Sequence, residues 1–321
     1  MRGYVIRRLI LVIPTMIIVC MLVFLVLRLI PGSVVDAIVA NQALGGQSGA
    51  EINRQAVEHS LGLDQPIYVQ FGHWITDIFV HGSLGNSLVS HYSVNAEIAS
   101  RLPITFELGL LAIIIGLIIA IPIGIYSAIR QDTVGDFLGR SAAIVFISVP
   151  SFWIGTMVMI YPSIWWKWSP PLQLIPFAQN PLGNLGMFLI PAFILGMSMS
   201  GTTMRMIRTV MLEVLRQDFI RTAWSKGLTE RVVIIRHVIR NSFIPVVTII
   251  GYQIPLLVGG AVIIEQIFDL PGIGSLAVQT LGNRDYTVVC GINLIVAFVV
   301  LLTNLAVDVT YSFLDPRVRY G

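Results

Sequence analysis

The sequence predicts an all-α polytopic membrane protein with six transmembrane helices. Three observations carry that prediction. Of the 321 residues, 55% are apolar and only 12% are charged. Soluble domains carry about 25% charged residues, so this chain has too few charges to cover a water-facing surface of its size. Mean hydropathy is +0.83. The apolar residues also gather into six stretches: Leu9–Ile30, Ile104–Ile129, Phe137–Tyr161, Leu185–Met206, Phe243–Glu265 and Thr287–Tyr311. Each offers the roughly 20 residues a helix needs to cross the hydrocarbon core.

The first span follows Arg2, Arg7 and Arg8, as a signal peptide would. Its apolar part is longer than an h-region and no small-x-small site follows it promptly, so it reads as a retained anchor. An even number of spans puts both termini on one side. With the N-terminus inside, fifteen of the twenty Lys and Arg fall on the tip, the second-to-third loop (Arg130, Arg140), the fourth-to-fifth loop and the tail (Arg317, Arg319). The remaining five, Arg28, Arg54, Arg101, Lys167 and Arg284, fall outside or at the outer interface. The positive-inside rule therefore places both termini in the cytoplasm.

The chain divides into an anchor helix with an extracytoplasmic segment (1–101), a five-helix core (102–313) with a cytoplasmic loop (204–241), and a cytoplasmic tail (314–321). The large outer segment between helices 1 and 2 is turn-rich at Gly45-Gly46, Leu61–Pro66 and Gly82–Asn86. The outer stretch Pro162–Gly183 carries Trp165, Trp166 and Trp168, which suit a headgroup-level belt. No internal repeat marks a two-halved secondary transporter.

Several functions are disfavoured. No G-x-x-x-x-G-K-[ST] phosphate loop, H-E-x-x-H or G-x-S-x-G occurs, so neither an ATP site nor a hydrolase centre is expected in this chain. His59, His73, His81 and His91 are spaced by 14, 8 and 10 residues, which matches no compact metal-ligand set. Cys20 and Cys290 sit in apolar runs and read as small core residues. A net charge of +3, with lysine only at Lys167 and Lys226, is no nucleic-acid footprint. Arg28, Glu107, Glu265 and Asp308 lie near span ends, where snorkelling or water reaches them. Without a mid-membrane charge, a proton-coupled carrier is disfavoured. Pro14, Pro122, Pro150, Pro191 and Pro255 interrupt five spans. Such helices either line a pathway that opens and closes or are ordinary membrane helices, in which proline is common.

The segment Met204–Asn241 holds eight basic and three acidic residues, Glu213, Asp218 and Glu230. Arg205 through Lys226 reads as one helix. Gly227 ends it, being free to take positive φ, and Thr229 is placed to cap the next helix with its side chain. There Val232, Ile235 and Ile239 share one face at α-helical spacing, away from Arg231, His237 and Arg240. An amphipathic pair of this kind either lies in the membrane interface or presents a docking surface to a cytoplasmic partner.

The residues Arg221-Thr-Ala-Trp-Ser-Lys-Gly-Leu228 and Arg236-His-Val-Ile-Arg-Asn-Ser-Phe-Ile-Pro245 resemble the coupling loop of ABC-importer permeases, Glu-Ala-Ala, three residues, then Gly. Ala223 and Gly227 match the last Ala and the Gly, whereas Arg221 and Thr222 replace the Glu and the first Ala. The closing proline falls late. Both departures are similar to the dipeptide/oligopeptide branch. The likeness extends through Leu61–Pro66, Gly82–Ser87, Pro103–Leu108, Ser148–Phe152, Phe268–Gly274 and Asp315–Tyr320.

That resemblance, to the first permease subunit of a peptide importer, implies a type I ABC importer permease fold in a bacterial or archaeal cytoplasmic membrane. It implies a homologous second permease subunit, two cytoplasmic ABC ATPases that bind ATP and Mg, an extracytoplasmic substrate-binding protein, and surrounding lipid. This chain would carry no cofactor and no catalytic residue. Its ATPase-coupling residues would be Ala223, Lys226, Gly227, Thr229, Val232, Ile235 and Ile239. The implied cargo is di- or oligopeptides, with nickel, glutathione, opines or sugars as alternatives within the family. A secondary carrier is the rival outside it.

Overall fold

The computed structural model describes residues 2–29, 35, 58, 59, 63–171 and 174–314. The Gly45-Gly46 turn, Arg54, Leu61-Gly62 and the tail from Asp315, with Arg317 and Arg319, lie outside them. Among the described residues all regular structure is helical, apart from one isolated bridge between Asn86 and Ser93. The helices are α1 (Arg2–Leu29), α2 (Ile67–Thr76), α3 (Val94–Ile129), α4 (Val134–Ser148), α5 (Ser151–Trp166) and α6 (Pro181–Leu215). They continue with α7 (Asp218–Ser225), α8 (Glu230–Val232), α9 (Arg240–Ile267), α10 (Ile273–Gly282) and α11 (Tyr286–Leu314). A π-helical turn, Asp77–His81, extends α2, and another, Val233–Ile239, joins α8 to α9 without a break.

Four helices, α1, α3, α6 and α11, are each long and apolar enough to cross a membrane. Two bent pairs, α4 with α5 and α8 with α9, bring the number to six. The expected third span, Phe137–Tyr161, is thus not straight: α4 and α5 meet at 86°. The cause is local, since the residue before a proline is pushed out of the helical region. Val149 is accordingly extended (φ −86°, ψ 120°). The fifth span bends by 45° between Ser242 and Pro245. α3 starts ten residues before the expected Ile104; its 36 residues make about 54 Å at 1.5 Å per residue, well beyond the hydrocarbon thickness.

The chain forms two units. Among the described residues the first comprises 2–5, 105–270 and 302–314. Here α6 packs along α4 and α9. Small residues set the approach: a Cβ on Gly196 would stand 2.6 Å from the Ala112 carbonyl oxygen and 3.0 Å from the Gly116 nitrogen, and one on Gly201 2.7 Å from the Ala143 carbonyl. Backbones come this close only where side chains are absent.

One buried ion pair joins α4 to α6. Asp136 is fully buried. Arg208 donates to both its oxygens, Nε to Oδ1 at 2.8 Å and Nη2 to Oδ2 at 2.8 Å. Ser127 Oγ of α3 also donates to Oδ1, and the Asp132 backbone N–H donates to Oδ2 at 3.0 Å. Thr133 caps α4 by accepting the Asp136 N–H. A fork plus a hydroxyl and an amide supplies the partners that a buried carboxylate requires. The expectation that charges near span ends rely on water fails at Glu265. It is fully buried and accepts from Thr105 Oγ1 at 2.6 Å, because its neighbours Ile264 and Phe268 turn the same stretch of chain inward.

The second unit comprises residues 6–104 and 271–301. Leu84, Val94 and Ile98 pack with Ile273 and Leu276 of α10 and Val288 and Ile292 of α11. Asp285 is buried at the start of α11 and accepts from Ser87 Oγ and from the N–H groups of Leu88 and Val288. Cys20 and Cys290 are both buried, Cys290 against Phe24 and Leu27. His59 and His81 pair with Asp64 and Asp77 on the surface, at 2.7 and 3.2 Å.

Two expectations follow. Gly196→Val should force α6 from α3 and cost about 2 kcal/mol, read as a lower melting temperature of the detergent-purified chain; an unchanged melting temperature would contradict the close crossing. Asp136→Leu or Arg208→Met alone should cost about 3 kcal/mol, with part recovered in the double Asp136→Leu/Arg208→Met variant. Additive losses in that cycle would refute the pairing.

Candidate functional site

The site is built on the cytoplasmic end of α6. The single helix expected from Arg205 to Lys226 is in fact two. α6 tightens at its end, with Arg216 N–H on Glu213 O at 3.3 Å and Gln217 N–H on Val214 O at 3.1 Å. Gln217 is extended (φ −76°, ψ 149°), and α7 restarts at Asp218. Such i→i+3 bonds are the usual way a helix end uses its last carbonyls. The break turns Ile220 and Ala223 inward, where both are buried.

Gly227 ends α7 as its sequence position predicts, at φ +76°. Its N–H bonds to Trp224 O at 2.9 Å and the Leu228 N–H to Ala223 O at 3.4 Å. This pair of reversed bonds is a Schellman closure, which requires a left-handed residue at the glycine position. No atom lies within 4 Å of where a Cβ would stand, so the demand for glycine comes from the backbone angle.

Thr229 occupies the cap position (φ −67°, ψ 151°), but its hydroxyl makes no capping bond. Its backbone carbonyl accepts the N–H groups of Val232 and Val233 at 3.0 and 3.1 Å. The expected apolar face also differs. The π winding of Val233–Ile239 widens the turn, so residues five apart align in place of those three or four apart. Val233 and Val238 are therefore both fully buried, against Ile207, Met211 and Val214 of α6 and Ile220 of α7. Of the expected face, Ile239 is partly buried on that core, whereas Val232 and Ile235 are 39% and 56% exposed.

The seven predicted residues thus divide. Ala223 and Ile239 seat the loop, Gly227 and Thr229 shape its turn, and Lys226, Val232 and Ile235 face outward with Trp224 and Leu228. The anchors Ile220, Val233 and Val238 and the Asp136–Arg208 pair escape sequence reading. The run Val232-Val-Ile-Ile235 fits any helical register, and Arg208 counts there as one loop charge among eight. The Thr133-x-x-Asp136 cap pattern at the start of α4 is the one signal for the acid. What remains on the surface is apolar side chains among Arg221, Lys226, Glu230 and Arg231, an arrangement suited to contact with another protein. Among the described residues no group of three or more His, Cys, Asp and Glu side chains comes together.

Comparison with known proteins bears on the whole chain. Residues 120–320 match the family model described as the binding-protein-dependent transport system inner membrane component, and residues 1–109 match the model for the N-terminal part of the same membrane components. The chain is 42% identical over 320 residues to a protein of Brucella abortus (strain 2308) named as a peptide transport system permease, covering 100% of both chains. It is 36% identical over 343 residues to the dipeptide transport system permease protein DppB of Escherichia coli (strain K12), covering 100% of this chain and 99% of that one. Among solved structures, a chain of the inward-facing MetNI methionine ABC transporter shares the fold, with TM-score 0.55 and 14% identity over 68% of this chain and 96% of its own length. The chain belongs to the family of binding-protein-dependent transport system inner membrane components, the multi-pass permease subunits of ABC importers.

Proposed function

We propose that this chain is one of two pore-forming subunits of an ATP-driven peptide importer, and that its loop 204–241 receives the drive from a cytoplasmic ATPase. The observation that carries the reading is the loop's construction: an outward apolar and basic surface, clamped from beneath onto the helices that span the membrane. The peptide-transport relatives support the cargo class. A relative named as a glutathione transport system permease, GsiC of Salmonella typhimurium, 36% identical over 320 residues, makes glutathione the second reading.

The mechanism follows from contact. An ATPase closing on Trp224, Leu228, Val232 and Ile235 loads a rigid element, because Ile220, Ala223, Val233 and Val238 hold α7 and α8 to α6. Arg208 and Asp136 carry displacement of α6 into α4. The bends at Val149-Pro150 and between Ser242 and Pro245 supply places where backbone angles absorb it. ATP binding then favours one access state, because the docked ATPase makes different contacts in the two states. ATP and Mg belong to the two ATPase partners. A homologous second permease completes the pathway, and an extracytoplasmic binding protein delivers the peptide. The 1–101 segment serves the outer side and the 102–313 core carries the pathway.

Affinity purification of the tagged chain from its native membrane should recover a homologous permease and one or two ATPases. Proteoliposomes of that complex with its binding protein should take up labelled dipeptide only with ATP. Uptake by the chain alone under a proton gradient would overturn the reading. Gly227→Val, which strains the left-handed position by about 1–2 kcal/mol, should abolish most uptake while the chain still inserts; wild-type uptake would remove the glycine's role. Ile235→Asp should lower ATPase co-purification, and full recovery would show that the partner docks elsewhere.

A further inference from the structure

A second site lies in the other unit, at the outer end of α1. A cavity of about 210 Å³ is lined there by Phe24, Leu27, Arg28, Gln70, Trp74 and Tyr286, among others. The Arg28 guanidinium stands 4.7 Å from the centre of the Phe24 ring and 5.9 Å from that of Tyr286. Phe24, Phe71 and Trp74 form one aromatic cluster with ring centres 5.4 to 6.3 Å apart.

The polar groups of this wall are unbalanced. Gln70 Nε2 already donates to the carbonyls of Gln65 and Leu63, at 2.7 and 3.3 Å. Among the described residues no carboxylate lines the cavity and none pairs with Arg28. An arginine is a donor only, and at this cavity Arg28 has aromatic ring faces beside it, so a group that supplies acceptors and negative charge complements it. A guanidinium fork matches a phosphate.

The surroundings choose the source of that phosphate. Arg28 is the penultimate residue of α1, and the same helix exposes Ile17, Ile18, Met21, Leu22 and Val26 along its membrane-spanning length. An acyl chain has a surface to lie on there, which a dissolved anion does not need. Trp and Tyr at the headgroup level are the usual company of such a site. We infer that this cavity holds the phosphodiester headgroup of an outer-leaflet phospholipid, with the Arg28 guanidinium as its charged donor and α1 beside its acyl chain.

Native mass spectrometry of the full-length chain, titrated with phosphatidylglycerol, tests this. Diacylglycerol with the same acyl chains and inorganic phosphate serve as the other two probes. Wild-type chain should retain phosphatidylglycerol and neither of the others. Arg28→Gln should weaken it about tenfold, as loss of a charged hydrogen-bond donor predicts. Arg28→Lys should fall between, since it keeps the charge and loses the fork. Arg28→Lys carries the test if Arg28→Gln elutes misfolded. Arg140→Gln, on α4, should leave it unchanged. Equal retention by a folded Arg28 variant, or equal binding of diacylglycerol, would overturn the inference; so would displacement of the lipid by inorganic phosphate, which would mark a site for free anion.

Discussion

The cytoplasmic half of this permease depends on one fork of hydrogen bonds. Asp136 lies in the first turn of α4 with its carboxylate out of solvent, and Arg208 on α6 answers both oxygens at 2.8 Å. A carboxylate so placed must be matched or it unfolds its surroundings. The match fixes the rotation and height of α6 against α4, and the loop grows from the end of α6 seven residues beyond Arg208. Ser127 extends the same constraint to α3. Three helices that would otherwise slide past one another in lipid, with little hydrophobic force between them, therefore keep one register at the inner face.

On that frame the loop is rigid by construction. A plain α-helix through 230–239 would face Val232, Ile235 and Ile239 to the core. The π winding turns Val233 and Val238 inward and releases Val232 and Ile235 to the surface. Gly227, with its two reversed bonds, sets the angle between α7 and α8. The exposed apolar surface and the core beneath it are thus opposite sides of one continuous element.

Much of this is legible in the residues. Charge deficit, span length and basic asymmetry suffice for the helical class and the orientation, because a bilayer imposes those on any chain. Gly227 is legible because few other residues tolerate its backbone angle. What local pattern misses is tertiary. The register of Val232-Val-Ile-Ile235 is degenerate, so only packing against Met211 and Ile220 decides which valine is buried. Asp136 and Arg208 are separated by 72 residues, and each alone looks like an interfacial charge. Glu265 escapes likewise, since its burial is decided by partners such as Thr105, distant in the chain. Pro150 shows where a bend is possible, and the fold makes it 86°.

In the proposed importer the outward face of this loop meets the motor. The most direct measurement places a photo-activatable amino acid at Ile235 in the intact complex, irradiates native membranes and identifies the adduct by mass spectrometry. A covalent adduct with a cytoplasmic ATPase subunit is expected, its yield changed by non-hydrolysable ATP. Adducts with lipid alone would contradict it and make the loop a surface-lying membrane element.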